Sequence, residues 1–251
     1  MRTPGLPLPF RPGRCPPPFG LAALSLCLAG CGDSAPADEP DATAPLLFRL
    51  PVQNTDGRLL QDWVIGVDHD PVDYGTQTTK CLSYAGEISF PYCYDQHSGT
   101  DFLLDGGFDA MDQEVAWVVA AADGTVIETR DGNYDRCHAD VNFPGGINCD
   151  GFEMRANYVI LEHRGGVRTW YWHLKQGTVA VSQGQLVACG EPLGLIGSSG
   201  RSAMPHLHFE VHGPDGEVID PYAGPASQPE SWWVEQDGPY DKPGERCQGG
   251  L

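Results

Sequence analysis

Five side chains in three short segments have the types and spacing to do chemistry together: His97 and Asp101 in HSGTD, His173 in RTWYWHL, and His206 and His208 in PHLHFE. Successive side chains alternate in extended backbone, so His97, Gly99 and Asp101 are expected on one face, with Gly99 leaving room for an ion between its neighbours. His206 and His208 likewise share a face, while Leu207 and Phe209 point the other way. In RTWYWHL the same rule puts Thr169, Tyr171 and His173 on one side and Trp170, Trp172 and Leu174 on the opposite, packed side. Imidazole nitrogen and carboxylate oxygen are common zinc ligands, and a catalytic zinc takes three of them with one position open. Five candidates exceed three. The two left over could move protons or stabilise the oxyanion formed when a carbonyl is attacked.

Rival chemistries lack their residues. No HExxH is present for a helical zinc site, no GxSxG for a serine nucleophile, and no CxxC for a zinc-cysteine cluster. GLIGSSG (Gly194 to Gly200) lacks the lysine of a P-loop and reads instead as a loop lining the groove. Asp131, Asn133 and Asp135 start like a calcium loop, but Arg136 and Asn142 occupy the positions that need Gly and Glu. Residues 131 to 151 therefore read as a disulfide-closed loop on the rim. His69, His138 and His212 fall in polar surroundings and are expected in solvent, whereas His163 ends a strand and is expected to make a structural hydrogen bond. Glu210 shares the face of His208, where it either orients that ring from behind or stands as a solvated acid.

The elements that must carry these groups are short. Apolar, β-branched runs cover Val115 to Glu128, Asn157 to His163, Arg168 to Leu174, Thr178 to Val187 and His206 to His212, separated by turn formers such as Asp123-Gly124 and Gly165-Gly166. With 32 Gly, 22 Pro and no long 3.6-residue periodicity, the chain reads as an antiparallel all-β protein with a strand-rich groove. Two further runs, Leu46 to Val52 and Trp63 to Val67, suggest a small N-terminal accessory region without chemistry of its own. The net charge of -19 excludes nucleic acid as a partner, because phosphate binding needs clustered Lys and Arg.

Residues 1–30 differ from the rest. Arg2, Arg11 and Arg14 precede an apolar stretch from Phe19 to Leu28, too short to span a bilayer and suited to a secretory signal. It ends Leu28-Ala29-Gly30-Cys31, which resembles a lipobox, so Cys31 is expected as a lipidated first residue. Removing residues 1–30 takes away three Arg and no acid, so -19 becomes -22. Residues 31–44 have the composition of a flexible tether. Six cysteines remain besides Cys31, and the preferred pairing is Cys81 with Cys93, Cys137 with Cys149, and Cys189 with Cys247. The first two close short loops and the third ties down the tail.

The ordered set H-x-G-x-D-F (His97 to Phe102), VxAAxDGxV (Val118 to Val126), NYVILEH, Y-x-H-L (Tyr171 to Leu174), LGxxGSSG and PHLHFEV resembles the lysostaphin-like or LytM-type zinc peptidases of peptidase family M23. The resemblance runs from His97 to Tyr222, half the chain. It implies Zn2+ held by His97, Asp101 and His208, with His173 and His206 as catalytic histidines, and hydrolysis of peptide bonds in peptidoglycan crosslinks or stem peptides. Some relatives are non-catalytic regulators of other wall hydrolases, which is the alternative reading. The expected organisation is a lipoprotein signal peptide (1–30), a tether (31–44), an accessory β region (45–80), the peptidase domain (81–224) and a C-terminal tail (225–251). Trp232 and Trp233 in the tail are expected to pack on the domain rather than to form a wall-binding surface. The expected partners are peptidoglycan peptides and a membrane reached through lipid on Cys31. The protein is expected to be a monomer on the outer membrane facing the periplasm, since Gly32 is not an acidic retention signal.

Overall fold

Alternating apolar and polar residues build short strands that pair only with antiparallel neighbours. The computed structural model of the chain describes residues 44–54, 64–75, 79–143 and 145–250. The signal segment, Cys31 and nearly all of the tether lie outside the described residues, as does Trp63. The strands are β1 (Val52–Asn54), β2 (Thr100–Leu103), β3 (Ala116–Val119), β4 (Gly124–Arg130), β5 (His138–Ala139), β6 (Ile147–Asn148), β7 (Tyr158–Glu162), β8 (Arg168–Trp172), β9 (Leu186–Val187), β10 (Pro192–Leu195), β11 (His206–His212) and β12 (Val218–Ile219). One short helix, α1 (Gly107–Asp112), and a single 3₁₀ turn at Arg164–Gly166 are the only helical pieces among the described residues. The fold is therefore antiparallel and almost wholly β, as the strand pattern implies.

The main sheet runs β12-β11-β8-β7-β4-β9, with β2 pairing β11 beside β12; a second sheet runs β1-β3-β10, and β5-β6 form a separate hairpin. Leu207, Phe209 and Val211 of β11 are buried and join Tyr171, Val159, Leu161 and Val126 of the neighbouring strands in one core with Val118 and Val52 of the second sheet. Burying each large apolar side chain contributes about 1.5–3 kcal/mol, so β11 is anchored by alternate residues. The residues between them, His206, His208 and Glu210, are thereby turned to the other face.

Strand β8 follows the opposite sense from the one its sequence suggests. Thr169 and Tyr171 are fully buried in the core, while Trp170 and Trp172 are only half-buried on the groove face, where their rings stack at 5.3 Å. The polar groups tolerate burial because they close a circuit. The Tyr171 hydroxyl accepts from the Ala121 N–H (2.9 Å) and is bonded to Thr169 (3.1 Å); Thr169 is bonded to His163 Nε2 (2.7 Å), and His163 Nδ1–H donates to the Asp123 carbonyl (2.8 Å). Burial pushes the His163 pKa down, which suits the neutral ring this circuit requires. His173 escapes the alternation because it stands just past the strand with φ +68°, a left-handed conformation that returns its side chain to the groove.

The segments flanking the peptidase motifs share the same core. Phe48, Leu50 and Val52 are buried, and Phe48 packs on Trp232, Trp233 and Phe209. Trp233 is 2% exposed, in ring contact also with Phe102 and Tyr222, so the tail is packed rather than presented. All three expected disulfides form: Cys81–Cys93, Cys137–Cys149 and Cys189–Cys247. The last spans 58 residues, for which loop-closure entropy in the unfolded chain corresponds to about 4 kcal/mol. The apolar run after residue 63 forms only an isolated bridge, Ile65 to Asp101, rather than a strand.

Candidate metal centre

Strand β11 is the axis of the site. It lies between β2 and β8, so His208 sits opposite Asp101 on one side and Trp172 on the other. Directly opposed residues in an antiparallel pair have Cβ atoms about 5 Å apart, so register alone sets a carboxylate beside an imidazole. His97 arrives from the turn preceding β2, where Gln96 has φ +60°. His97 Nε2 is 3.1 Å from Asp101 Oδ1 and 3.1 Å from His208 Nδ1, and His208 Nδ1 is 2.8 Å from Asp101 Oδ1.

The remaining polar atom of each residue is occupied. His97 Nδ1–H donates to the Gly66 carbonyl (2.6 Å), His208 Nε2–H donates to Glu210 Oε1 (2.8 Å), and Asp101 Oδ2 accepts from the Tyr94 hydroxyl (3.2 Å). These partners turn two imidazole lone pairs and one carboxylate oxygen toward one another, an arrangement that calls for positive charge at its centre. Three ligand atoms on a tetrahedral zinc stand roughly 3.3 Å apart, close to the spacings here, and these two histidines and one aspartate could hold a metal ion. Burial opposes charge on Asp101, yet His97, His206 and His208 hold its carboxyl well below the usual range. Burial likewise opposes a proton on His208, but the bonds to Asp101 and Glu210 outweigh it and raise the ring to about 9. Surroundings that favour a proton there also favour a metal cation.

His173 and His206 flank this centre with ring centroids 4.7 Å apart. His173 Nδ1–H donates to the Ser199 carbonyl (2.7 Å) and His206 Nδ1–H to the Met204 carbonyl (2.8 Å), partners that assign the proton to Nδ1 and leave Nε2 as a lone pair. Burial, then the neighbouring histidines, push His173 well below its ordinary pKa, and burial lowers His206. Both rings are thus held neutral, with His206 Nε2 3.5 Å from Asp101 Oδ1. The five residues singled out in the sequence lie along one groove of about 720 Å³.

Several expectations change. Gly99 does not leave room for an ion: a Cβ there would stand 2.6 Å from the Phe209 carbonyl oxygen and 2.8 Å from His208 Cε1, so the glycine admits the ligand's ring. His212 is not a solvent histidine, because its Nε2 bonds Glu210 Oε2 (2.6 Å), and His69 bonds the buried Asp220 (2.8 Å). Glu210, bonded also by the Ser98 hydroxyl (2.8 Å), is a bridging acid rather than a solvated one, and burial fails to offset the histidine bonds that hold its pKa low. The N-terminal run, given no chemistry, supplies the Gly66 carbonyl that orients His97. Tyr94, stacked on His97 at 4.1 Å, had no signal in motif spacing, since it reaches the site through the Cys81–Cys93 loop.

Known proteins resemble the chain over the stretch that carries these residues. The peptidoglycan DD-endopeptidase ShyB of Vibrio cholerae is 34% identical over 115 residues, covering 46% of this chain and 20% of that protein. The DD-carboxypeptidase/endopeptidase Mpg of Neisseria meningitidis is 31% identical over 179 residues, covering 70% of this chain and 33% of that protein. This chain thus spans a fifth to a third of the length of these curated relatives. A crystal structure of a zinc-containing peptidase from Vibrio cholerae aligns at 28% identity with a TM-score of 0.37, covering 66% of this chain and 40% of that one. The model described as Peptidase family M23 matches residues 96–221, half of the sequence and the stretch that holds all five groove residues. With its motifs in order along that stretch, the chain belongs to peptidase family M23.

Proposed function

We propose that this protein is a zinc metalloendopeptidase that hydrolyses peptide bonds in peptidoglycan crosslinks or stem peptides. The observation that carries the reading is the division of the five groove residues into two kinds. His97, Asp101 and His208 turn donor atoms to a common centre, whereas His173 and His206 keep a free Nε2 beside it. Zinc held by the first three would supply Lewis acidity for attack of water on the scissile carbonyl. His173 and His206, neutral and fixed by their Nδ1–H bonds, can take a proton at Nε2 from the attacking water. Once protonated, the same nitrogen donates to the developing oxyanion or to the leaving amine. Tyr94, Glu210 and the Gly66 carbonyl hold the ligands in the required tautomers and orientations.

Digestion of purified peptidoglycan by zinc-loaded and chelator-treated protein, with fragments identified by mass, tests the assignment. Zinc-dependent fragments are expected. Their absence from every wall type tried, at full zinc occupancy, overturns catalysis in favour of a regulator of other wall hydrolases.

We further propose that the protein is exported, that lipid on Cys31 holds it in the outer membrane facing the periplasm, and that it works as a monomer. Three disulfides fit an oxidising compartment. A mature charge of -22 offers no general attraction to an anionic envelope, and charge is screened beyond about 8–10 Å, so a lipid with the 31–44 tether is the simpler means of retention. Residues 81–224 are assigned as the peptidase domain, with 45–80 and 225–251 as flanks that brace it. Mass spectrometry of the membrane-extracted protein checks the anchor; an unmodified Cys31 removes it.

A further inference from the structure

Arg201 stands apart from the other cations of this acidic chain. Among the described residues the other arginines and lysines have partners, such as Asp112 for Arg136, Glu162 for Arg168, Glu114 for Lys175 and Glu235 for Arg246. Arg201 is exposed and has no hydrogen bond or ion pair among them, although the sequence carries 34 acids. It is also the one Lys or Arg among the described residues that line the groove. The groove acids are engaged elsewhere, Asp101 and Glu210 with histidines and Asp95 with the Tyr74 N–H, so they do not claim it.

The backbone that carries Arg201 is held on both sides. Gly200 has φ +75° and is pressed against Ala156, where a Cβ would meet the Ala156 nitrogen at 2.8 Å. Ser199 Oγ accepts from the Asn157 N–H (2.9 Å) and donates to the Leu174 carbonyl (2.9 Å). Ser202 Oγ donates to the Met204 carbonyl (2.8 Å) and is bonded to Ser198 Oγ (2.8 Å). The same loop presents the Ser199 carbonyl to His173 and the Met204 carbonyl to His206. Arg201 therefore springs from a fixed root between the two carbonyls that orient the flanking histidines. A planar guanidinium with a fixed base and no internal partner is suited to bidentate capture of a carboxylate.

We infer that Arg201 binds a free carboxylate of the substrate beside the scissile bond, so that the site selects peptides with an acidic group there over neutral ones. The fitting substrate bears that carboxylate close to the bond that is cut, as a chain-terminal residue or a crosslinking amino acid with a free carboxyl does. The inference rests on the peptidase reading and names the substrate class of the same groove.

The test compares the full chain with Arg201→Met and Arg201→Lys, using acyl-D-alanyl-D-alanine and its C-terminal amide as probes. Binding is read from NMR shifts of each probe, and turnover separately from amine release. The zinc-loaded parent protein is expected to bind the acid roughly 10- to 100-fold more tightly than the amide. Arg201→Met should abolish that preference, and Arg201→Lys should keep part of it. Equal binding of acid and amide by the parent, equal weakening of both by Arg201→Met, or binding of neither probe overturns the inference. An Arg201-dependent preference without hydrolysis of any probe leaves the carboxylate site standing and counts against the peptidase reading alone.

Discussion

His163 and His208 are both buried histidines with both ring nitrogens bonded, yet their surroundings prepare them for opposite fates. His163 meets a carbonyl and a hydroxyl in a circuit that ends at the Ala121 N–H, and burial keeps the ring neutral. His208 meets two carboxylates, which overcome burial and raise it to about 9. The first environment is complete without any ligand. The second gathers negative charge and lone pairs around a point that a cation can fill. A buried histidine is therefore no sign of a site by itself; what distinguishes the candidate metal centre is the negative charge gathered around the ring.

The comparison is open to attack by mutation. The largest effect is expected from His208→Ala, which should leave the protein without bound zinc by elemental analysis and without detectable wall hydrolysis. His173→Ala should retain zinc and lose roughly 10²- to 10⁴-fold in turnover, the usual worth of a positioned proton carrier; hydrolysis at the parent rate would remove its assigned role. Glu210→Gln keeps the shape but not the charge behind His208, so zinc affinity should fall about 10- to 100-fold in a chelator competition. His163→Gln should leave zinc content and turnover intact while lowering stability by about 1–3 kcal/mol through the broken circuit, measured by denaturant unfolding.

The smallest effect concerns pH. The folded pKa of His163 lies below its ordinary value of 6.5, so above that pH neither folded nor unfolded chain is protonated there. As pH falls below 6.5, the unfolded chain takes up a proton that the folded ring resists, and stability is lost until the folded pKa is reached. The stability advantage of the parent over His163→Gln should therefore shrink on acidification from pH 7.5 to 5. A gap that widens instead would show that the ring is charged in the fold.

The candidate site was legible where one face of a strand is apolar. In HLHFEV, the burial of Leu207, Phe209 and Val211 forces His206, His208 and Glu210 outward, so a period of two suffices. RTWYWHL misleads for the same reason. Its aromatic residues fill both faces, so hydrophobicity does not choose between them. The choice falls to the Ala121 N–H and His163, which satisfy the Tyr171 and Thr169 hydroxyls inside the core. The single left-handed residue at His173 leaves no mark in composition.

By itself the sequence determined the antiparallel β character, the family through its ordered motifs, the five groove residues and the pairing that three loops of cysteines prefer. Those properties follow from residue type and short spacing, which local geometry and chain entropy translate directly. The tertiary structure decided which atom of each histidine faces the centre, that Gly99 yields its space to a ring rather than an ion, that Gly66 and Tyr94 bond His97 and Asp101, and that Arg201 lines the groove. These depend on hydrogen bonds and close approaches between residues distant along the chain, as between Gly66 and His97 or Asp101 and His208, and such contacts exist only once the strands have paired.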